Sequence, residues 1–569
     1  MKCKYFSIFI MFWLLLLSTV SYAQIETITS TVRQPFGGSQ SPDDARIAAF
    51  AKAKREALEQ AGTYLESLTI VKNSVLEKDE ILALTAGVLK AEIVSQKNYA
   101  TADAFGIVIV AKVDVDTNIL GERVSRLLKD RKLLKKYQDA QEREKDLLSK
   151  IKSLEEKNRK LQGSFSNEDK DKLKEEFRKT SHQLTATELN KKALALWDNG
   201  FYTDVIKAIG YLKDAIRLDP DYGEAYNNIG AAYRSKGEYD RAIEYYQKAL
   251  EIGIKKLGPE HPNVAGAYNN IGLAYDNKGE YDRAIEYIQK ALKIDIKKLG
   301  PEHPNVAIRY NNIGGAYDSK GEYDRAIEYY QKALKIDLKK LGPEHPNVAI
   351  RYNNIGGAYG SKGEYDRAIE YFQKALKIYL EKLGIEHPYI AITYNNIGLA
   401  YRNKGEYDRA IEYYQKALEI GIKKLGPEHP QVAIRYNNIG TAYLNKGEYD
   451  RAIEYFQKAL EIGIKKLGPE HPQVAIRYNN IGTAYLNKGE YDRAIEYYQK
   501  ALEIGIKKLG PEHPQVAGAY NNIGEAYNSK GEYDRAIEYY QKALKIGIKR
   551  LGKNHPHTKV FQKNLNSVK

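Results

Sequence analysis

The feature that most constrains this chain is a block of 42 residues that recurs through its C-terminal half and beyond. The sequence Tyr-Asn-Asn-Ile-Gly returns at that interval, and a His-Pro pair keeps the same spacing. A unit of this size cannot bury its own apolar face, so stacked neighbours must supply the core. The copies of this sequence begin at Tyr226, Tyr268, Tyr310, Tyr352, Tyr394, Tyr436, Tyr478 and Tyr520.

Each copy predicts two helices. In the first copy they span Tyr226–Arg234 and Tyr239–Leu257, joined by a short turn. Gly258-Pro259 ends the second helix, and His261-Pro262 begins the next one with proline in its first turn. We predict that the recurring histidines cap helix starts, because equivalent histidines lie too far apart to share a metal ion.

The constant positions of the repeat resemble the tetratricopeptide pattern, and the extra Leu-Gly-Pro-Glu-His-Pro of each copy resembles the 42-residue repeats of kinesin light chains. The resemblance implies a mainly α fold, a right-handed α-solenoid of helix pairs. It covers residues 190–569, with about nine repeats and a C-terminal capping helix. The matching residues of the first full copy are Tyr226, Ile229, Gly230, Tyr233, Gly237, Tyr239, Ala242, Tyr246 and Ala249.

Two asparagines follow the repeated tyrosine on the first helix of every copy, beside the stripe that faces the core. The resemblance implies that they line a concave groove, where an amide can both donate to and accept from an extended peptide backbone. The alternative is that these amides only tie adjacent helices together. Four arginines are expected to add charge near the groove mouth. The candidate residues are Asn227, Asn228, Asn269, Asn270, Asn311, Asn312, Asn353, Asn354, Asn395, Asn396, Asn437, Asn438, Asn479, Asn480, Asn521, Asn522, Arg309, Arg351, Arg435 and Arg477.

Composition and motifs argue against catalysis. The net charge of +15 comes from 89 basic and 74 acidic residues among 569, too diluted to track a nucleic-acid backbone. Cys3 is the only cysteine, which excludes disulfides and thiolate metal sites downstream. No nucleophile elbow, zinc-protease, phosphate-loop or dinucleotide motif occurs. We therefore predict no enzyme activity, no cofactor, no metal and no nucleic-acid partner.

Residues 1–23 have the pattern of a signal peptide: a basic start, a short apolar run and Ser21-Tyr22-Ala23 before the expected cut. The run is shorter than the roughly 20 residues needed to span a bilayer. We expect a periplasmic or secreted protein without an integral membrane segment after cleavage. An uncleaved inner-membrane anchor is the alternative.

Residues 24–120 predict a small α/β domain. Strands are expected at Ile25–Val32, Tyr64–Val75, Val88–Gln96 and Phe105–Val115, with an alanine-rich helix at Asp43–Ala61. Asp44–Leu58, Thr69–Asn73, Gly87-Val88 and Val108–Val113 resemble the N-terminal domain of the flagellar assembly protein T. That resemblance implies an envelope location and no chemistry.

Residues 121–180 are rich in Lys, Glu, Arg and Leu and predict a coiled coil and linker. An apolar seam would pair two copies of the chain as a homodimer, with Asn158 setting the register. A single solvated helix that spaces two domains is the alternative. The seam positions are Leu133, Tyr137, Ala140, Glu144, Leu147, Ile151, Leu154, Asn158 and Leu161.

Together these patterns predict a non-enzymatic protein–protein interaction scaffold of the bacterial cell envelope that binds extended polypeptide in the groove. An architectural spacer or assembly factor with an unused groove is one alternative. An accessory subunit that presents an acceptor to a separate enzyme is another.

Overall fold

A computed structural model describes residues 25–36, 39–67, 78–101, 105–116, 124, 127, 130–160, 166–198 and 201–568. The predicted signal peptide lies outside these residues. The chain forms two compact units, the first ending at Ile294 and the second spanning Asp295–Lys569. The division falls inside the repeats, at a point with no shift in composition. In stacked repeats each copy contacts mainly its neighbours, so a division can fall between any two of them.

The N-terminal part of the first unit contains a three-stranded antiparallel sheet in the order β1-β3-β2. Its strands are β1 (Ile25–Phe36), β2 (Ala91–Ala100) and β3 (Phe105–Asp116). β1 pairs with β3 over its full length, whereas β2 has a register shift between Ile93 and Ser95.

Helix α1 (Pro42–Ser67) packs on this sheet. Ala49, Ala53, Ala57 and Ala61 recur every four residues along one face of α1 and are fully buried. They form one core with alternate residues of β3, such as Ile109 and Val113. Small side chains on the helix let it lie close to the strand, which confirms the predicted alanine-rich helix.

The predicted strand at Tyr64–Val75 is wrong where the structure describes it, because residues 64–67 form the last turn of α1. Leu65 is fully buried in the same core as the α1 alanines, so helical burial prevails there over β-propensity. Residues 68–75 lie outside the described part of the chain. Helix α2 (Lys78–Val88) was not predicted from the sequence.

The predicted coiled-coil seam is buried inside the chain. Helix α3 (Arg131–Lys160) packs against α4 (Asn167–Leu194) and against α1 and α2. Leu133 and Tyr137 join the core of the N-terminal sheet, while Leu147, Ile151 and Leu154 pack with Phe177 of α4. This corrects the prediction of a seam facing a second copy, because an apolar seam has the same pattern whichever helix covers it. Leu161 lies outside the described residues.

Buried charges also join these helices. Lys191 Nζ lies 2.8 Å from Glu144 Oε2 and 3.5 Å from Glu188 Oε1, and Lys54 Nζ lies 3.3 Å from Glu188 Oε2. Burial tends to raise the pKa of Glu188, but Lys191 and Lys54 outweigh it and lower the pKa to about 2. Burial raises the pKa of Glu144 above its usual range despite Lys191.

The first helix pair consists of α4 and α5 (Val205–Leu218), joined by a two-stranded ribbon of β4 (Trp197–Asp198) and β5 (Phe201–Tyr202). Eight regular pairs follow, each with a first helix, here called A, and a second, called B. The last helix of the described chain is α22 (Pro556–Asn566), close to the predicted closing helix. The A helices are α6 (Gly223–Ser235), α8 (Pro262–Lys278), α10 (Pro304–Lys320), α12 (Pro346–Lys362), α14 (Pro388–Lys404), α16 (Pro430–Lys446), α18 (Pro472–Lys488) and α20 (Pro514–Lys530). The B helices are α7 (Tyr239–Leu257), α9 (Tyr281–Leu299), α11 (Tyr323–Leu341), α13 (Tyr365–Leu383), α15 (Tyr407–Leu425), α17 (Tyr449–Leu467), α19 (Tyr491–Leu509) and α21 (Tyr533–Arg550).

Within each pair, a glycine on the A helix lies against a buried ring or apolar side chain on the B helix. A Cβ placed on Gly440 would lie 2.7 Å from Cδ1 of Phe456, closer than atoms can approach. A second tyrosine of the B helix stacks on the A helix, as Tyr455 does on Tyr443 with 5.5 Å between ring centroids. This confirms the predicted core role of the glycine. Most tyrosines of the repeats are buried or half-buried, whereas Tyr389 and Tyr533 are exposed.

No helix among the described residues is long and apolar enough to cross a membrane.

Candidate functional site

The candidate site is the row of asparagine pairs on the A helices, which we call the amide ladder. On each A helix the two asparagines lie three and two residues before the glycine that contacts the B helix, as Asn437 and Asn438 do before Gly440. The amides therefore lie at the edge of the packed face. In the second unit most of them are half-buried, with Asn521 more deeply covered.

The ladder amides bond to one another across neighbouring copies. In each tie, the second asparagine of one copy donates Nδ2–H to Oδ1 of the first asparagine of the preceding copy. The donor–acceptor distances are 2.7 Å for Asn438–Asn395, 2.7 Å for Asn480–Asn437, 2.8 Å for Asn354–Asn311, 2.8 Å for Asn522–Asn479 and 3.4 Å for Asn396–Asn353. The amides therefore do tie adjacent copies together, as one part of the alternative interpretation expects.

The ties use only half of each amide. An asparagine side chain has two N–H donors and one oxygen with two lone pairs. Oδ1 of Asn395 accepts from Asn438, so the N–H groups of Asn395 take no part in the tie. Asn438 donates one N–H, so its oxygen takes no part in the tie. From the copy at Tyr352 onward, each pair of copies therefore presents both a donor and an acceptor at fixed places along the A helices, the two functions that a peptide backbone needs.

The ladder begins differently in the first unit. Asn228 is only 2% exposed; it donates to Asn190 Oδ1 at 2.9 Å and accepts from Lys136 Nζ at 2.7 Å. Asn270 donates to Asn227 Oδ1 at 2.7 Å, and Asn269 is buried. The chain itself thus occupies Asn228, which corrects its place among the candidate peptide-binding residues.

The four candidate arginines are buried, which corrects the prediction that they lie at a groove mouth. Arg309 and Arg351 each donate Nε–H to a buried aspartate on the preceding B helix, Asp295 and Asp337, at 2.9 Å. Burial raises the pKa of Asp295, opposed by the neighbouring guanidinium. Arg435 is 8% exposed and Arg477 4% exposed, on the same face of their helices. None of the four is placed to attract a ligand at the amide ladder.

Side chains beside the ladder differ between copies. Leu399 and Glu525 occupy equivalent positions on α14 and α20 and are exposed, while Thr441 turns back to its own helix and donates to the carbonyl of Asn437. On α10 the equivalent position is Gly315, and Asp318 lies about one turn after it. Burial raises the pKa of Asp318. A constant row of amides is therefore flanked by apolar, acidic and neutral side chains in turn.

The recurring histidines cap the A helices, as the sequence predicts. Nδ1 of His429 accepts the backbone N–H of Gln431 at 3.2 Å, and Pro430 fills the first helical position. Among the described residues, no group of three or more His, Cys, Asp or Glu side chains is arranged to hold a metal ion.

Comparison with known proteins identifies the repeats. The Tetratricopeptide repeat profile matches residues 221–297, 267–339, 321–381, 389–465, 436–507, 473–549 and 515–565, more than half of the chain. The chain belongs to the tetratricopeptide repeat family. Arrays of this family are generally protein–protein interaction scaffolds.

Individual curated relatives match short parts of the chain. The Photosystem I assembly protein Ycf3 of Prochlorococcus marinus subsp. pastoris is 39% identical over 69 residues, which is 12% of this chain and 38% of that protein. The chain spans less than two fifths of the length of the curated relatives it matches.

Two solved structures have similar repeats. BtubC (BKLC) from P. vanneervenii is 26% identical, with a TM-score of 0.34, over 39% of this chain and 90% of that one. A putative kinesin light chain from Podosopora anserina with nearly identical TPR-like repeats is 24% identical with a TM-score of 0.32, over 36% of this chain and 97% of that one.

Proposed function

We propose that this tetratricopeptide repeat protein is a non-enzymatic scaffold of the bacterial cell envelope, which binds extended polypeptide along the A helices of Asp295–Lys569. The observation that carries the proposal is the half-used amide ladder. From the copy at Tyr352 onward, its donors and acceptors outside the ties return once per copy at the edge of the A helices. Extended peptide advances about 3.3 Å per residue, and packed helices lie about 8–10 Å apart. About three ligand residues per copy would keep a peptide backbone in step with the ladder.

The near-identity of copies favours a ligand without one unique epitope. The units at 434–475 and 476–517 differ only at Phe456 and Tyr498, both buried. Backbone recognition by amides needs no particular ligand side chain. The side chains that change between other copies, such as Leu399 and Glu525, would then adjust preference locally.

The decisive experiment separates the tie from the ligand contact. In the variant N353D/N395D/N437D each aspartate keeps an oxygen to accept the tie but loses the N–H groups left for a ligand. The full chain is panned against a library of short random peptides, and a selected peptide is titrated into the wild type and the variant. We expect affinity to fall at least about tenfold, since each lost hydrogen bond contributes about 0.5–1.5 kcal/mol.

A matched variant, N396A/N438A/N480A, removes the donors of the same three ties and leaves the N–H groups of the first asparagines in place. If this variant is less stable and binds the peptide more weakly, while N353D/N395D/N437D binds it like the wild type, the ladder is a structural element. If N353D/N395D/N437D folds and binds the peptide like the wild type, the proposed binding surface is wrong.

The ties themselves favour a second function, an architectural spacer whose amides serve only to hold the copies together. In that case no library peptide should compete for the A helices. Removing the ties should instead change the stiffness of the chain, measurable by small-angle scattering.

The envelope location rests on residues 1–23. We expect Edman sequencing of protein purified from a native host to begin at Gln24, in a soluble fraction. A chain that begins at Met1 and sediments with inner membrane would overturn this part of the proposal.

A further inference from the structure

One pair of positions, separated by 14 residues, changes together from copy to copy. The first position lies near the end of a B helix and the second near the start of the next A helix. The pairs are Gly253/Ala267, Asp295/Arg309, Asp337/Arg351, Tyr379/Thr393, Gly421/Arg435, Gly463/Arg477, Gly505/Ala519 and Gly547/Phe561. In two of these copies the aspartate accepts from the arginine, and in four others the second position holds no arginine but Ala267, Thr393, Ala519 or Phe561.

The other two copies differ. Arg435 and Arg477 keep the guanidinium of the copies at Arg309 and Arg351, but glycine stands where those copies have aspartate. Both arginines remain buried, at 8% and 4% exposure. The charge of the arginine is thus retained while the carboxylate that neutralises it is absent.

The guanidinium groups point at the missing carboxylate. A Cβ placed on Gly421 would lie 3.0 Å from Nη1 of Arg435, and one on Gly463 would lie 2.7 Å from Nη1 of Arg477. Nε and Nη1 of Arg435 and Nη1 of Arg477 are buried and have no hydrogen-bond partner among the residues that the structure describes. Each guanidinium therefore leans against the glycine, into space that a side chain would otherwise take, and at least one buried N–H-bearing nitrogen of each has no acceptor among the described residues.

The surroundings make this arrangement costly. The adjoining layer consists of Val432, Ala433, Ala459 and Ile462, all buried. A cation in an apolar layer needs a counter-charge, because a buried charge without a partner is strongly unfavourable. Burial lowers the pKa of Arg435 from its usual value, but arginine remains charged at any physiological pH.

We propose that Arg435 and Arg477 each bind a small monovalent carboxylate beside Gly421 and Gly463; the flexible guanidinium withdraws from the glycine, and the ion takes the place of the aspartate carboxyl found two to four copies earlier. Arginine matches a carboxylate through two parallel N–H bonds. The occupant is a free ion such as formate or acetate, because so little of either arginine is exposed that a polypeptide backbone could not approach it closely. This site is independent of the amide ladder and of the function proposed for it.

The test uses hydrogen exchange of the full chain in rising sodium formate, at constant ionic strength. A ligand that binds the folded copies slows local opening in proportion to 1 + [L]/Kd. We expect exchange in α15–α18 to slow by about tenfold at a formate concentration near ten times Kd. Exchange in α10 and α12, whose arginines have aspartate partners, should not respond.

Three variants fix the interpretation. G421D/G463D installs a covalent carboxylate beside each arginine and should abolish the response to formate. G505D makes the same change in the next copy, opposite Ala519 and not an arginine, and should leave the response in α15–α18 unchanged. R435M/R477M removes the guanidinium groups and should also abolish the response, which keeps the test decisive if the aspartate variant folds poorly.

Several outcomes would overturn the proposal. One is no formate response in the wild type, and another is a response that persists in G421D/G463D or R435M/R477M. A short glutamate peptide that slows exchange in α15–α18 where formate does not would also contradict it, because the carboxylate would then come from polypeptide.

Discussion

The helices α3 and α4 and the repeats of Asp295–Lys569 are both packed α-helices, but they place their charges differently. Glu144 is buried against the largely covered Lys191, and the Lys54–Glu188 pair joins residues 134 positions apart. In the repeats, pairs such as Lys362–Asp324 lie at exposed turns of neighbouring copies. Damage should therefore spread through the α3–α4 region, whereas in the repeats it should stay within neighbouring copies.

The largest effect is expected from Lys191→Met. This change leaves Glu144 buried without its cation, which costs about 3–5 kcal/mol of unfolding free energy. Hydrogen exchange should rise throughout α1, α3 and α4. Lys416→Met, which removes the exposed partner of Glu412, is the matched change in the repeats. Equal effects of the two changes would remove the contrast between the regions.

Acid should act mainly on the same region. The folded-state pKa of Glu188 is about 2, below the 4.5 of an ordinary glutamate. Its contribution to stability is complete above pH 4.5 and is lost as the pH falls toward 2, up to about 3 kcal/mol. Exchange in α4 should therefore rise in this range, and Glu188→Gln should abolish that pH dependence. Acid-induced exchange that begins in the repeats would contradict this account.

Two adjacent glycines sharpen the comparison within the repeats. A Cβ on Gly356 would lie 2.8 Å from Phe372, whereas one on Gly357 meets nothing within 4 Å. Gly356→Leu should cost about 1–3 kcal/mol by overpacking, with faster exchange confined to α12, α13 and their neighbours. Gly357→Leu should be tolerated and gain helix propensity. Similar losses for both variants would mean that the packed face is assigned wrongly.

The smallest effect should come from one ladder tie. Asn438→Ala removes a 2.7 Å bond and should cost about 0.5–1.5 kcal/mol. Asn396→Ala removes a 3.4 Å bond and should cost less. Denaturant unfolding of the full chain, followed by exchange at α14 and α16, measures both. The reverse order would show that the ties do not set the stability of the interface between copies.

The sequence predicts the helices of the repeats well because the same residue types recur at the same positions of every copy. The helix predicted at Tyr239–Leu257 has those bounds in the structure. His429-Pro430 predicts a helix start, and the histidine caps it. Glycine, alanine and aromatic residues at fixed spacing leave one way to pack two helices.

Outside the repeats, sequence patterns leave the partner undefined. The seam through Leu147, Ile151 and Leu154 predicts only that something covers it, and in the structure α4 covers it. Within the repeats, the burial of Arg309 depends on Asp295, 14 residues earlier. The prediction of a groove-mouth arginine rested on the A helix alone and left out this aspartate on the preceding B helix. Comparing the copies at this spacing is the signal that would have revealed the pairs.

The most direct test of the binding account is a hydrogen-exchange footprint of a library-selected peptide on the full chain. The account predicts slower exchange along the A helices α12, α14, α16 and α18, with little change in the B helices α13, α15 and α17. It also predicts that N353D/N395D/N437D loses this footprint. Protection confined to the B helices or to α3 and α4, or a footprint unchanged in that variant, would contradict the account.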